Sequence, residues 1–206
     1  MKQTIAVIDY NMGNLHSVMR KIFRIGADVY ISGIPSEILK ADKLILPGVG
    51  HFAQAMNNIC NKELNEVLNE MVLVQKKPVL GICLGMQLMA EYSEEGNCKG
   101  LGWINANVLK FKPDEQKKYK VPHMGWNTVY PNSDSILLKG ISEKDEFYFV
   151  HSYHLTTDEK KIIAAETDYI YRFCSIFEKD HLFGVQFHPE KSHNSGETIL
   201  KNFIKL

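Results

Sequence analysis

Apolar positions in the first half of the chain switch repeatedly between a continuous run and a spacing of three to four. Residues 5–8 form an unbroken apolar run, the pattern of a buried strand. Leu15, Val18, Met19, Ile22 and Phe23 then fall on one helical face. A short strand near residues 29–31 follows, and Leu44-Ile45-Leu46 reads as another buried strand. Phe52, Ala55, Met56 and Ile59 make a second helical face, and Leu64, Val67, Leu68 and Met71 a third. Residues 79–82 return to strand. This alternation predicts right-handed crossovers and a parallel central sheet.

The second half is richer in strands. Residues 104–111, 127–130, 147–150, 162–167, 172–177 and 183–187 carry strand-like composition. A terminal helix over residues 197–204 places Ile199, Leu200, Phe203 and Ile204 on one face. Residues 112–120 are charged, contain Pro113 and have no apolar period, so they predict a solvent-exposed loop. With no linker, repeat or low-complexity segment, residues 1–206 are expected to be a single domain. Its fold class is α/β: an open mixed, mainly parallel central sheet flanked by helices, with additional strands in the second half.

Composition narrows the options without choosing one. The chain of 206 residues is 45% hydrophobic and 23% charged, ordinary for a globular protein with a sizeable core. Twenty-four basic residues balance 24 acidic ones, which disfavours a general nucleic-acid-binding surface. No apolar run approaches the ~20 residues that span a bilayer, and the start leads straight into the first strand, so neither membrane nor signal peptide is expected. Cys60, Cys83, Cys98 and Cys174 form no C-x-x-C pair, which argues against a metal site and a disulfide framework. A cytoplasmic location fits. Cys60, Cys98 and Cys174 are expected to be structural.

Cys83 differs from the other three. It ends the apolar segment Pro78-Val79-Leu80-Gly81-Ile82-Cys83, has glycines at i−2 and i+2, and precedes a helix pattern of Leu84, Leu88 and Tyr92. That is the form of a nucleophile elbow, a strained strand-to-helix turn that presents its central side chain. Glycines flank it because a Cβ would not fit. The N-terminus of the next helix favours thiolate and can meet a developing oxyanion. A hundred residues on, Gly184-Val185-Gln186-Phe187-His188-Pro189-Glu190 ends an apolar strand at a histidine, with a glutamate two positions later. His188 suits a general base and Glu190 the carboxylate that orients it. Cys83 and the loops at residues 9–14 and 47–50 all follow parallel strands, so they should gather on one edge of the sheet.

These motifs resemble the class I (triad) glutamine amidotransferases, whose fold is flavodoxin-like. Asp9-Tyr10-Asn11-Met12-Gly13-Asn14, Pro47-Gly48-Val49-Gly50, Val121-Pro122-His123-Met124-Gly125-Trp126-Asn127 and Tyr148-Phe149-Val150-His151-Ser152-Tyr153 extend the resemblance along nearly the whole chain. They are similar to the glutaminase subunits of imidazole glycerol phosphate synthases. The resemblance implies a Cys83 thioester in the hydrolysis of L-glutamine. It implies an oxyanion hole from Leu84, Val49 and Gly50, and substrate contacts from Gln87, Glu95, His151, Ser152 and Tyr153. It implies a partner surface of His123, Met124, Trp126, Asn127, Tyr148 and Lys191. The partner would be a (β/α)₈ cyclase subunit in a heterodimer that receives the ammonia and makes imidazole glycerol phosphate and AICAR for histidine biosynthesis. No cofactor or metal is implied.

Two other readings remain open. A paralogous amidotransferase could feed ammonia to a surface-sugar amidine synthase; Tyr169-Ile170-Tyr171-Arg172 and Lys191-Ser192-His193-Asn194-Ser195-Gly196 depart from the usual histidine-pathway form. A non-catalytic regulatory domain on the same scaffold is the other, and the intact Cys83, His188 and Glu190 argue against it.

Overall fold

A computed structural model of the chain describes residues 3–113, 119–132 and 134–206. The middle of the expected loop at 112–120 therefore lies outside the described residues. The first half runs β1 (Thr4–Ile8), α1 (Leu15–Ile25), β2 (Asp28–Ser32), α2 (Pro35–Ile38), β3 (Lys43–Gly48), α3 (Phe52–Asn61), α4 (Leu64–Asn69), β4 (Val79–Cys83) and α5 (Leu84–Leu88). The second half runs β5 (Tyr92–Ser93), β6 (Cys98–Lys99), β7 (Asn107–Lys110), β8 (His123–Thr128), β9 (Tyr130–Pro131), β10 (Glu146–His151), β11 (Tyr153–Thr156), β12 (Ile163–Asp168), β13 (Arg172–Lys179), β14 (Leu182–Val185) and α6 (His193–Ile204).

The main sheet has the order β2-β1-β3-β4-β14-β13-β11-β7-β5-β6. The pairs from β2 through β14 are all parallel, which gives a five-stranded parallel core. Beyond β14 the path turns antiparallel through β13, β11 and β7, and β12 pairs with β13 outside the main path. β8 and β10 form a separate two-stranded antiparallel sheet.

Strand alternation sorts the core onto two faces. Ile5, Val7 and Ile45 face α1 and α6, packing with Val18, Ile22, Ile199, Leu200 and Phe203. Ala6, Ile8, Leu44 and Leu46 face the other side, with Ala55, Ile59, Leu64 and Leu68. Lys43, buried at the start of β3, donates from Nζ to the carbonyls of Phe203 (3.3 Å) and Ile204 (2.6 Å), and so caps the C-terminus of α6.

Several elements differ from their expected forms, among them the strand expected at 127–130, which begins at His123 and breaks at Val129. Phe23 is exposed, so the buried stripe of α1 is narrower than its pattern predicts. The helix after Cys83 ends at Leu88, and Tyr92 lies in β5. The carbonyls of Leu88, Met89 and Ala90 accept from the N–H groups of Leu101, Trp103 and Gly102, and this tertiary pairing stops the helix. The strand expected at 104–111 shortens to Asn107–Lys110, and α6 begins four residues early, at His193.

The parallel core brings the elbow against β3. Gly48 pairs directly with Cys83. A Cβ on Gly85 would overlap the carbonyl oxygen of Leu46, and one on Gly81 would lie 2.6 Å from the Met86 backbone. Gly85→Ala is therefore expected to destabilise the fold by about 3 kcal/mol, the upper end of ordinary overpacking. Urea denaturation of the variant and the parent chain checks this; a difference below about 0.5 kcal/mol would show that the helix can back away from β3.

Candidate active site

Cys83 is the last residue of β4 and immediately precedes α5, with φ 53° and ψ −110°. A non-glycine residue in that region is strained, and packing on both sides holds it there. The sulfur reaches a pocket of about 300 Å³ whose lining includes Val49, Gly50, Leu84, Gln87 and Glu95. His151, Ser152 and Tyr153 form its far wall. Leu84 is the first residue of α5, so its N–H has no acceptor within the helix. Gly50 has φ +113°, a left-handed conformation that glycine accepts without strain. The start of that loop is pinned from below: the buried Tyr10 hydroxyl donates to the Pro47 carbonyl at 2.6 Å. Burial, and then the nearby Cys83, push the Tyr10 pKa up, so it stays a donor.

His188 and Glu190 lie behind the sulfur. β14 ends at Val185, three residues short of the histidine, and Pro189–Lys191 form a 3₁₀ turn. His188 Nδ1 faces Glu190 Oε1 at 2.9 Å, with both side chains almost fully buried. Nε2 lies outside conventional hydrogen-bond geometry to any group among the described residues. Burial opposes a charged imidazole, but the Cys83 sulfur and the Glu190 carboxylate outweigh it and raise the His188 pKa to about 10. The turn is clamped to β10. His188 N–H donates to the Tyr148 carbonyl at 2.9 Å, and Tyr148 N–H donates to Ser192 Oγ at 3.0 Å. The Ser192 hydroxyl donates in turn to the His188 carbonyl at 2.7 Å.

A second polar cluster has the opposite electrostatic character. His151 Nδ1 donates to the Tyr153 carbonyl at 2.8 Å, because a carbonyl can only accept. Its Nε2 must then accept, so His123 Nδ1 donates to it at 3.0 Å. His123 Nε2 accepts in turn from Asn127 Nδ2 at 3.5 Å. Burial depresses both imidazoles, His123 to about 4 and His151 well below its ordinary value. Both are neutral at physiological pH.

Several sequence expectations come together here and some separate. The suggested substrate residues all line the pocket, but both ring nitrogens of His151 are engaged inside the protein. Glu95 accepts from the Phe52 N–H at 2.8 Å, at the start of α3. Gln87, which lines the pocket, uses Nε2 on the Tyr153 carbonyl (2.9 Å) and on Gln186 Oε1 (3.0 Å), so its Oε1 is not engaged by either. In β8 the period of two separates the suggested partner surface. Met124 and Trp126 are 62% and 44% exposed, whereas His123 is buried and Asn127 turns inward with it. Lys191 lies over the Tyr148 ring at 5.5 Å. The departing residues Tyr169 and Tyr171 also reach this region: Tyr169 stacks on His123, and the Tyr171 hydroxyl lies 2.8 Å from His154 Nε2.

Sequence reasoning missed Gln186, which is fully buried between Gln87 and Cys83. The available signal was an amide in the middle of an otherwise apolar run, where a polar group needs a partner. Among the described residues no group of three or more His, Cys, Asp or Glu could hold a metal, and no helix is long and apolar enough to cross a membrane.

Comparison with known proteins identifies the family. Residues 6–206 match the family described as glutamine amidotransferase class-I. The chain is 49% identical to imidazole glycerol phosphate synthase subunit HisH 2 of Methanococcus maripaludis, over 98% of both chains. It is 48% identical to subunit HisH 1 of Campylobacter jejuni, over 98% of this chain and all of that one. Among solved structures, the glutaminase domain of Trypanosoma brucei CTPS with bound acivicin superposes with a TM-score of 0.69. The match covers 98% of this chain and 92% of that one at 21% identity, a likeness of fold.

The three histidines should titrate in opposite directions. At pH 8 His188 is expected to be protonated, and at pH 5.5 His123 and His151 are expected to be neutral. Nitrogen NMR of labelled histidine checks this, and an ordinary midpoint near 6.5 for any of the three would contradict it. The folded pKa of His123 is depressed from 6.5 to about 4, so the unfolded chain binds more protons across that window. Its contribution to stability is complete above pH 6.5 and is lost as pH falls toward 4.

Proposed function

Because this chain belongs to the class-I glutamine amidotransferases and, within them, to the HisH subunits of imidazole glycerol phosphate synthase, we propose that it hydrolyses L-glutamine to glutamate and ammonia through a thioester on Cys83. The observation that carries this reading is the buried His188–Glu190 pair behind a strained cysteine at the floor of a pocket. The thiolate attacks the side-chain amide carbon of glutamine. The Leu84 N–H and the Val49–Gly50 loop receive the oxyanion. His188 passes its proton to the departing nitrogen, which leaves as ammonia. It then takes a proton from water as the water attacks the thioester, and glutamate leaves. Glu190 holds the imidazole in position and stabilises its charged form without exchanging protons.

Substrate recognition follows from the free polar groups of the pocket. Gln87 Oε1 is an acceptor for a substrate N–H, and the Glu95 carboxylate is suited to the substrate ammonium. The backbone of 151–153 supplies the rest of the wall, since the His151 ring is occupied. The chain acts as one domain in the reducing cytoplasm, where Cys83 stays unoxidised.

Subunits of this kind work within a synthase, so a synthase partner consumes the ammonia. The partner in this reading is a (β/α)₈ cyclase whose substrate is a phosphorylated ribulosyl aminoimidazole carboxamide nucleotide. Met124, Trp126, Tyr148 and Lys191 form the docking face. His123 and Asn127 act from beneath it. The alternative, ammonia supply to a surface-sugar amidine synthase with the same chemistry at Cys83, rests only on the departures at Tyr169–Arg172 and 191–196. Rescue of a histidine auxotroph separates the two.

Two outcomes are expected. Cys83→Ala lowers glutamine-dependent synthesis by the reconstituted pair by roughly 10⁴-fold or more, while synthesis from added ammonia persists. Unchanged glutamine-dependent turnover would reject Cys83 as nucleophile. Separately, glutaminase turnover rises from the chain alone, to the chain with cyclase, to the complex with the cyclase's nucleotide ligand. Rates within a factor of about three, under 1 kcal/mol, would mean that the oxyanion site is preformed.

A further inference from the structure

Gln186 is fully buried, and its side-chain amide lies between two other groups of the site. Its Nε2 is 3.6 Å from Cys83 Sγ, and its Oε1 is 3.0 Å from Gln87 Nε2. Which end of a glutamine amide faces which neighbour is normally ambiguous. Here the surroundings settle it. The Tyr153 carbonyl can only accept, so the group Gln87 presents to it, at 2.9 Å, is the NH₂. The second N–H of that NH₂ points at Gln186, which must therefore offer its oxygen. The NH₂ of Gln186 is left facing the sulfur. A flipped Gln186 would set two donors against each other and turn an acceptor toward Cys83.

We propose that Gln186 is a further catalytic residue, donating a hydrogen bond from Nε2 to Cys83 Sγ that holds the sulfur as a thiolate ready to attack. This rests on the reading of Cys83 as nucleophile. A hydrogen bond to a charged group favours that group over its neutral form. The sulfur therefore has two kinds of support: the charged imidazole of His188 and the neutral amide of Gln186. They differ in timing. His188 gives up its proton as ammonia leaves, whereas Gln186 keeps its N–H throughout and faces the sulfur again when the thioester breaks. The donor is matched to a recurring thiolate and to no other step. The backbone holds it in place as well, since the Gln186 N–H donates to the Ser175 carbonyl at 2.9 Å.

The test is the pH dependence of Cys83 alkylation by iodoacetamide, read on the Cys83 peptide by mass spectrometry so that the other cysteines do not contribute. Parent, Gln186→Leu and Gln186→Glu chains are compared. Leucine removes the donor. Glutamate can still accept from Gln87 but turns a second acceptor to the sulfur. The expected result is a midpoint about one pH unit higher in Gln186→Leu, with roughly tenfold slower alkylation well below the midpoint. The upward shift should be larger in Gln186→Glu. A midpoint that is unchanged or lowered in either folded variant overturns the proposal. Should neither variant fold, the parent chain carries the same test: the side-chain amide resonance of Gln186 must move with the Cys83 titration, and a resonance indifferent to it is an equal refutation. A parent Cys83 that is not alkylated at any pH fails at the earlier step and rejects the nucleophile itself.

Discussion

Everything at the site depends on how closely two backbones approach at the ends of β3 and β4. Gly85 leaves no room for a side-chain carbon against the Leu46 carbonyl, and Gly81 leaves almost none against Met86. That contact forces α5 to start at once after Cys83, and the turn in turn forces the cysteine into positive φ. With the helix further away, the sulfur would point along the strand into the core, as buried cysteines commonly do. The same approach sets Gly48 opposite Cys83, which brings the Val49–Gly50 loop to the pocket that Cys83 lines. Sheet register and pocket geometry are one constraint.

Charge is divided sharply over a short distance. His188 is held charged beside a carboxylate and a sulfur, while His123 and His151 are held neutral by burial without a counter-charge. The two regimes meet at Tyr148. Its carbonyl fixes the His188 backbone, its N–H fixes the Ser192 hydroxyl, and it pairs in register with Trp126. The strand that fixes the His188 backbone is thus the same one that pairs with the exposed Trp126.

The parallel core was legible in the sequence because its strands are buried on both sides and read as continuous apolar runs. The elbow was legible because its strain leaves glycines at fixed positions. What was hidden follows from partners distant in sequence. The helix after Cys83 stops where residues 101–104 take its carbonyls, which no local pattern encodes. The contact between His188 and Glu190 was legible in their spacing of two. The inward turn of His123 was not, because a strand of mixed composition such as β8 does not announce which of its faces is covered. Gln186 was hidden in the same way: its partners lie about a hundred residues back along the chain.

The hydrogen bonds around the Tyr153 carbonyl run in one direction. Asn127 donates to His123, His123 to His151, and His151 to the carbonyl, which also receives Gln87. In such a file each member is defined by its neighbour, so one exchange of donor for acceptor strands a buried group at the next position. Neutral drift is therefore closed to these residues one at a time. A descendant of this chain can keep the whole file or replace linked members together, and its history should contain few intermediates between those two conditions.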